Sequence, residues 1–267
     1  MPELPEVETV VRGLNAQVKG LTIKRIPHVA EHIRIRDNDL ESLCGDTFLN
    51  FGRRGKYIIA ELESGRKLMI HLRMSGRILL VGARSRRDKH DHFIATFTTG
   101  SDKLVFRDTR KFGLVQFLRE DQDGGISLLG IEATEITGPK LKALLESSNR
   151  PVKALLLDQS ALAGLGNIYV DESLFRSGIH PLRVCRAVNS DETRSLAANI
   201  RLILRNAVNK MGTTFDSYEG VNGKPGEYSL HLRVYNREGE LCRRCGDTIV
   251  KIRAAGRGTH FCPTCQK

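Results

Sequence analysis

Residues 57–72 read YIIAELESGRKLMIHL, and this stretch indicates the fold class. It holds two short β-rich runs, Tyr57–Leu62 and Lys67–Leu72, with Gly65 in the turn between them. Similar runs, with glycines between or beside them, recur from residue 21 to residue 118: Leu21–Ile26, Arg77–Val81, Phe93–Thr98, Leu104–Arg107 and Leu114–Leu118. Many short strands with glycine turns are typical of an antiparallel sandwich or barrel. We therefore predict an antiparallel β-sandwich over this part of the chain.

Helical patterns flank the predicted strands on both sides. Residues 3–18 carry one apolar stripe with a period of 3.6 residues, formed by Val7, Val10, Val11, Leu14 and Val18. After about residue 130 four further helices are predicted, at Pro139–Ser147, Pro151–Gln159, Ile168–Arg176 and Asp191–Lys210. A Gly164-Leu165-Gly166 turn joins the second and third of them. The fold class is therefore α+β.

Composition and charge point to a polyanionic partner. The 267 residues suit two modest domains with a small accessory module. Lys and Arg number 42 against 31 Asp and Glu, which gives a formal charge of +11, and such a surplus favours DNA, RNA or an anionic membrane. No apolar run approaches the roughly 18 residues needed to span a bilayer, and Glu3, Glu6 and Glu8 stand where a signal peptide would begin. We expect a cytosolic protein with no membrane partner.

Four cysteines near the end of the chain have the spacing of a metal site. Cys242 and Cys245 form one Cys-x2-Cys pair, and Cys262 and Cys265 form the second. Two such knuckles on a hairpin close a tetrahedral thiolate site for Zn2+. A disulfide pair or an iron–sulfur cluster is an alternative, although cytosolic cysteines stay reduced. Because four protein ligands leave no open position, the predicted zinc ion is structural and supplies folding energy to a small tail.

The start of the chain suggests a nucleophile. Bacterial aminopeptidase normally removes Met1 when a small residue follows, so we expect the mature chain to begin at Pro2. Its secondary amine would have a pKa of about 7.7–8 and can attack an electrophilic carbon. Glu3 follows as a carboxylate within reach of anything that the amine attacks. The alternative is that Pro2 merely starts a helix, since proline suits the first helical turn.

Taken together, these segments resemble the Fpg/Nei family of DNA glycosylases along essentially the whole chain, and the wording Leu4-Pro5-Glu6-Val7 is closer to the formamidopyrimidine branch than to the Nei branch. The resemblance rests on motifs that occur in order: Met1-Pro2-Glu3-Leu4-Pro5-Glu6-Val7-Glu8-Thr9, Gly52-Arg53-Arg54-Gly55-Lys56-Tyr57 on a strand, His71-Leu72-Arg73-Met74-Ser75-Gly76, Asp108-Thr109-Arg110-Lys111-Phe112-Gly113, Gly164-Leu165-Gly166-Asn167-Ile168-Tyr169 and Gly256-Arg257-Gly258-Thr259-His260. It implies three segments: a catalytic β-sandwich domain at 1–125, a helix-two-turns-helix domain at 131–227 with a lesion-recognition loop at 213–228, and a zinc finger at 230–267.

The resemblance also implies catalytic roles. Pro2 would attack C1′ of the damaged nucleoside, and β- and δ-elimination would then cut the strand. Glu3 would be the acid/base, and Lys56 a second cation near the lesion phosphate, although in isolation Lys56 is also compatible with a surface strand lysine. Glu6 is interpreted as structural, orienting the N-terminal turn by hydrogen bonds. Arg257, near the predicted tip of the zinc hairpin, would clamp a backbone phosphate, its alternative being a solvated basic turn.

Further residues are implied to bind DNA. Met74, Arg110 and Phe112 match the family's residues that fill the hole left by an extruded base, whereas Met and Phe read alone would be core residues. His71 and Asn167 are interpreted as phosphate contacts, the latter at a helix start that favours anions. The segment Leu129-Gly130-Ile131-Glu132-Ala133 departs from the family wording, which suggests less rigidity there, and Glu132 is given no role.

Three functions remain to be weighed. The favoured one is a bifunctional glycosylase and abasic-site lyase that removes oxidised purines from duplex DNA, working as a monomer without an obligate protein partner. The second is an oxidised-pyrimidine glycosylase of the Nei type. The third is a non-catalytic damaged-DNA-binding protein, which the joint presence of Pro2, Glu3 and Lys56 argues against.

Overall fold

The structure is a computed structural model that describes residues 2–30, 40–100, 102–118, 123–213, 221 and 225–267. The chain forms two compact units. The first comprises Met1–Ser127 with Lys210–Glu227, and the second comprises Leu128–Asn209 with Tyr228–Lys267. This division differs from the three predicted segments: residues 210–227 group with the sandwich, and the cysteine-bearing tail groups with the helices.

The first unit is an antiparallel sandwich preceded by a helix. Its elements are α1 (Leu4–Gln17), β1 (Ile23–Val29), β2 (Phe48–Arg54), β3 (Tyr57–Leu62), β4 (Lys67–His71), β5 (Gly76–Gly82), β6 (Asp91–Phe97), β7 (Asp102–Asp108) and β8 (Leu114–Leu118). The strands form two sheets of four, with the orders β1-β6-β7-β5 and β2-β3-β4-β8. Side chains from both sheets and from α1 share one hydrophobic core, which confirms the predicted sandwich.

The alternation of apolar residues did not predict strand β2, which was indicated only by the family motif that begins at Gly52. Phe48 and Phe51 are both buried in it although they lie three residues apart. The pairing with β3 shifts register between Phe48 and Asn50, as at a β-bulge. Because a bulge adds one residue to a strand, the apolar positions lose the period of two that marks a strand in the sequence.

The second unit contains the predicted helices and the hairpin. Its elements are β9 (Ile131–Glu132), α2 (Gly138–Glu146), α3 (Val152–Leu157), β10 (Leu162–Ala163), α4 (Asn167–Ser177), α5 (Ser190–Asn209), β11 (Val250–Ala254) and β12 (Arg257–Phe261). The four predicted helices are confirmed, with ends shifted by one or two residues. Ile131 and Glu132, in the segment that departs from the family wording, pair in parallel with Leu162 and Ala163.

Two acidic residues of α4 explain why the tail and the helices form one unit. The Glu172 carboxylate accepts hydrogen bonds from the backbone N–H groups of Arg233, Val234 and Tyr235. Asp171 accepts one from the N–H of His260 in β12.

Among the described residues, no helix has both the length and the apolar character that a bilayer crossing requires.

Candidate active site and DNA contacts

Pro2 and Glu3 lie at the fixed start of α1. Both are buried, and Glu3 is the residue immediately before the first helical turn. The Glu3 N–H donates to Oε2 of Glu6 over 2.8 Å, which confirms the interpretation that Glu6 orients this turn. Pro5 lies in the first turn, where the fixed φ angle of proline matches the helical conformation. The two residues implied to carry the chemistry therefore sit on a backbone with little conformational freedom.

The other carboxylate oxygen of Glu6 holds a second segment of the same unit. Oε1 accepts a hydrogen bond of 2.7 Å from the N–H of Thr213. Gly212 approaches so closely, at a φ of +80°, that a Cβ there would lie 2.7 Å from this oxygen. One side chain thus ties the N-terminal turn to the first residue of the predicted loop 213–228. Most of that loop, residues 214–220 and 222–224, lies outside the described residues.

Lys56 lies in a tight turn and not on a strand. It follows Gly55 in the two-residue connection between β2 and β3, where Arg54 pairs with Tyr57, and its side chain is buried. The turn is linked to α1 through Arg53, whose Nε lies 3.1 Å from Oε2 of Glu8 and whose Nη1 donates to the Gly55 carbonyl over 3.0 Å. The surface-lysine alternative is therefore wrong for Lys56, and its turn has a defined position relative to α1.

His71 is buried at the end of β4. Its ring packs edge-on against Tyr57, with centroids 4.6 Å apart, and its Nδ1 accepts a hydrogen bond of 2.9 Å from the N–H of Arg73. Burial, followed by the positive charges of Arg73 and Lys56, lowers the pKa of His71 to about 3. The imidazole is therefore neutral near pH 7. Any contact with a phosphate would be a hydrogen bond donated by Nε2–H and not an ion pair.

Met74, Arg110 and Phe112 are presented on two neighbouring loops of the sandwich. Met74 lies between β4 and β5 and is 40% exposed, while Phe112 lies between β7 and β8 and is 54% exposed. The Arg110 guanidinium carbon sits 5.2 Å from the centre of the Phe112 ring. Such exposure excludes the alternative that Met74 and Phe112 are core residues. Large apolar side chains left in solvent fit insertion into a base stack.

Asn167 and Arg257 are neighbours in the second unit. Asn167 is the first residue of α4, and its Nδ2 donates to the Gly258 carbonyl over 2.8 Å. Arg257 is exposed and opens β12. The sequence predicts the hairpin tip at Gly256-Arg257-Gly258, but the turn is Ala255-Gly256, both at positive φ, and Arg257 already pairs with Ala254 in the strand. The two implied phosphate contacts are thus joined through one backbone carbonyl.

A buried ion pair that sequence reasoning missed supports this arrangement. Lys153 Nζ donates to Oδ1 of Asp171 over 2.6 Å, and neither side chain is exposed. Oδ2 of Asp171 accepts the His260 N–H over 2.9 Å. The available signal was an Asp171-Glu172 pair between two apolar runs of the helix, Ile168-Tyr169-Val170 and Leu174-Phe175. Charges are almost never fully buried unless they are paired.

The four tail cysteines form one cluster. Their Sγ atoms lie within 4.8 Å of one another, with Cys242 and Cys265 at 3.9 Å and Cys245 and Cys262 at 3.4 Å. A tetrahedron with Zn–S bonds of about 2.3 Å has sulfur–sulfur edges of about 3.8 Å. The cluster therefore fits a Zn2+ ion held by four thiolates.

Comparison with known proteins identifies each module. A family model described as the formamidopyrimidine-DNA glycosylase N-terminal domain matches residues 1–115, and one described as the H2TH domain of the same enzyme matches residues 129–218. A third, described as a zinc finger found in FPG and IleRS, matches residues 239–267. The chain therefore has the set of modules of a DNA glycosylase that combines an H2TH domain with a zinc finger.

Full-length relatives narrow this class. Formamidopyrimidine-DNA glycosylases of Lactiplantibacillus plantarum and Bacillus subtilis are each 42% identical over the whole chain and over 100% and 99% of their own lengths. Crystal structures of Lactococcus lactis Fpg, one a variant with Fapy-dG-containing DNA and one with DNA containing an oxidised pyrimidine, match with TM-scores of 0.93 and 0.92 at 37% identity and 100% coverage of both chains.

The chain belongs to the formamidopyrimidine-DNA glycosylase family, and the resemblance seen in the sequence is confirmed. The zinc-finger match and the cysteine cluster together also confirm one structural zinc ion, held by Cys242, Cys245, Cys262 and Cys265.

Proposed function

We propose that the protein is a bifunctional DNA glycosylase and abasic-site lyase of base excision repair, which removes oxidised purines from duplex DNA. The observation that carries this is the placement of Pro2 and Glu3 side by side and buried at the fixed start of α1. Membership of the family and the family's structures with lesion-containing DNA support it. The substrate is 8-oxoguanine or a formamidopyrimidine.

The reaction begins when the Pro2 nitrogen, free after Met1 is removed, attacks C1′ of the damaged nucleoside. The bond from C1′ to the base breaks, the base leaves with the electron pair and takes up a proton, and Glu3 protonates the sugar O4′ as the ring opens. The resulting iminium makes the C2′ proton acidic. Its removal expels the 3′ phosphate by β-elimination, and a second elimination expels the 5′ phosphate.

The remaining residues bind and orient the DNA. We propose that Lys56 contacts the phosphate near the lesion, and that His71, Asn167 and Arg257 contact backbone phosphates. Phosphate contacts fix register and orientation. Met74, Arg110 and Phe112 fill the hole after the damaged nucleotide leaves the stack, which offsets part of the few kcal/mol that unstacking costs.

Borohydride trapping tests the chemistry. Processed protein, with Pro2 verified as its first residue by mass spectrometry, should form a covalent adduct with a duplex that contains 8-oxoguanine opposite cytosine. A matched preparation that retains Met1 should form none, because its Pro2 nitrogen is an amide. Glu3→Gln should lose base release. If the processed wild type yields no adduct with either a lesion or an abasic duplex, the protein is a non-catalytic binder.

A second substrate class is favoured by one observation, the Lactococcus lactis complex with DNA that contains an oxidised pyrimidine. The discriminating measurement is the single-turnover rate on duplexes bearing 8-oxoguanine opposite cytosine and thymine glycol opposite adenine. We expect the purine lesion to be released faster. The reverse order would assign the chain to oxidised pyrimidines.

A further inference from the structure

The two loops that present Met74, Arg110 and Phe112 meet at one buried carboxylate. Asp108 is fully buried at the end of β7. Its Oδ1 accepts hydrogen bonds from the Ser75 hydroxyl and, over 3.1 Å, from the Arg110 N–H. Its Oδ2 accepts the Gly113 N–H over 2.7 Å. One side chain therefore bonds to the residue after Met74 and to both ends of the segment that carries Arg110 and Phe112.

The backbone of Asp108 is itself fixed in the sheet. Its N–H donates to the His90 carbonyl over 3.0 Å, and its carbonyl lies 2.7 Å from Nε2 of the buried His92. Gly76, the first residue of β5, pairs directly with Asp108. The carboxylate is thus held by strands of one sheet and is an immobile anchor for both loops.

Both loops adopt backbone conformations that need such an anchor. Arg73 and Lys111 have φ angles of +52° and +58°, a left-handed region that residues with side chains rarely occupy. Gly113 lies so close to Phe106 that a Cβ would meet its ring at 2.3 Å. Without fixed hydrogen bonds, the loops would relax to commoner conformations and their exposed side chains would move.

We propose that Asp108, together with Ser75, is the positioning residue that holds Met74, Arg110 and Phe112 in one arrangement for filling the hole in the base stack. This rests on the proposed function. Asp108 is buried and acts on DNA only through the loops that it joins. Charge-assisted hydrogen bonds to an ionised carboxylate are the stronger ones. The three side chains are therefore ordered before DNA binds, and less ordering remains to oppose extrusion of the base.

The test compares substrates with and without a hole to fill. Asp108→Asn keeps the shape of the side chain but replaces one acceptor oxygen by a donor. Ser75→Ala removes the bond that the hydroxyl donates to Asp108 and the one of 3.2 Å that it accepts from the Arg110 N–H, and leaves the carboxylate its bonds from Arg110 and Gly113. The matched control is Asp46→Asn, because Asp46 is a buried carboxylate of the same unit that accepts from Ser64 and Arg66 and touches neither loop. Base release from an 8-oxoguanine duplex is measured beside strand cleavage at an abasic site in single-stranded DNA.

We expect Asp108→Asn to lower duplex base release about tenfold or more relative to single-strand cleavage, the size of effect that one lost buried hydrogen bond produces. Ser75→Ala should lower that ratio in the same direction by a smaller factor, and Asp46→Asn should leave it unchanged. Adding Asp108→Asn to a Met74→Ala, Phe112→Ala background should have little further effect, since coupled residues are not additive.

The proposal would be overturned if Asp108→Asn and Ser75→Ala left the ratio of duplex base release to single-strand cleavage unchanged, whether both rates stay the same or fall equally. Should Asp108→Asn fail to fold, as judged by circular dichroism, Ser75→Ala supplies the same ratio. Failure of the proposed function is a separate result, because wild-type protein would then release no base and cleave no abasic site.

Discussion

The neutral imidazole of His71 gives the first unit a pH dependence. Its pKa is lowered to about 3 in the folded chain by burial and by the charges of Arg73 and Lys56, whereas in the unfolded chain it is about 6.5. Between these values the unfolded state binds one proton more. The stability that His71 contributes is therefore present above about pH 6.5 and is lost as the pH falls towards 3, by up to about tenfold in the folding constant per pH unit.

His71→Gln should flatten that slope. Chemical unfolding followed by circular dichroism between pH 7 and 5 measures it, a range in which few carboxylates titrate. His231→Gln is the matched control, because His231 is exposed in the other unit. If wild type and His71→Gln lose stability in parallel over this range, the folded pKa of His71 is close to its ordinary value.

The sequence predicted candidate DNA-binding residues such as His71, but not whether their side chains are buried or charged. The motif His71-Leu72-Arg73-Met74 indicated a DNA-contacting turn, yet the chain does not show that His71 is buried between Tyr57 and two cations. The run of charges around Arg110 favoured a DNA-contacting loop over a core strand, yet nothing in the sequence distinguishes the buried Asp108 from its exposed neighbours. Its burial depends on the pairing of Asp108 with Gly76 of a distant strand, which local patterns do not encode.

Among the larger elements, the turn between β2 and β3 is linked to α1 through an arginine. Arg53 pairs with Glu8 and donates to the Gly55 carbonyl beside Lys56. Arg53→Gln should lower both base release and strand cleavage by about tenfold, because Lys56 would lose its defined position. Single-turnover rates on lesion and abasic duplexes measure this.

Arg12 offers the matched control for that ion pair. It also pairs with Glu8, at 3.0 Å, but its side chain is 61% exposed against 10% for Arg53. Exposed ion pairs within a helix contribute little, so Arg12→Gln should leave both rates within about twofold. Equal losses in the two variants would show that Glu8, and not the link to the turn, matters.

For Arg257 of the β11–β12 hairpin, we predict an effect on the salt dependence of DNA binding. If it contacts a phosphate, Arg257→Ala should weaken binding for every sequence and reduce the slope of log K against log salt by about 0.9. Lys142→Ala is the control, since Lys142 is an exposed cation on α2 of the same unit. Fluorescence anisotropy at several salt concentrations gives both slopes. An identical change in the two variants would show that Arg257 is a solvent-exposed cation without a specific phosphate contact.

The elements themselves were largely predictable, and the exceptions have physical causes. Periodicity located α1 and the four later helices, because each packs one apolar face. It missed β2, where a bulge breaks the alternation. The two glycines of Gly256-Arg257-Gly258 placed the hairpin tip too far along the chain, because Ala255 at a positive φ has no signature in the sequence. The buried pair of Lys153 and Asp171 also gave no periodic signal.

The metal site is part of a larger hydrophobic cluster of the second unit. Phe175 of α4 packs in one cluster with Val234, Ile249, Cys242 and Cys262. The guanidinium of Arg244, between the first two ligands, lies 4.5 Å from the Phe175 ring centre. The zinc-bearing tail is therefore joined to the helix that begins at Asn167, and the ion stabilises the neighbourhood of both proposed phosphate contacts.

Removing the zinc ion should consequently affect one unit and not the other. A small metal site supplies folding free energy that the apo tail cannot replace. After chelation we expect amides of β12, including that of His260, to lose protection in hydrogen exchange, while amides of β3 and β4 in the sandwich keep theirs. Affinity for lesion-containing duplex DNA should fall by about tenfold or more, because the Arg257 and Asn167 contacts lose their common support.

Cysteine variants separate loss of the ion from loss of a thiol. Cys245→Ser removes one ligand and should reproduce the effect of chelation, including release of zinc measured with a colorimetric indicator. Cys44→Ser is the matched control, because Cys44 is an exposed cysteine outside the cluster, and it should behave as wild type. DNA affinity that survives both chelation and Cys245→Ser would contradict the structural role of the ion, since the proposed phosphate contacts would then form without it.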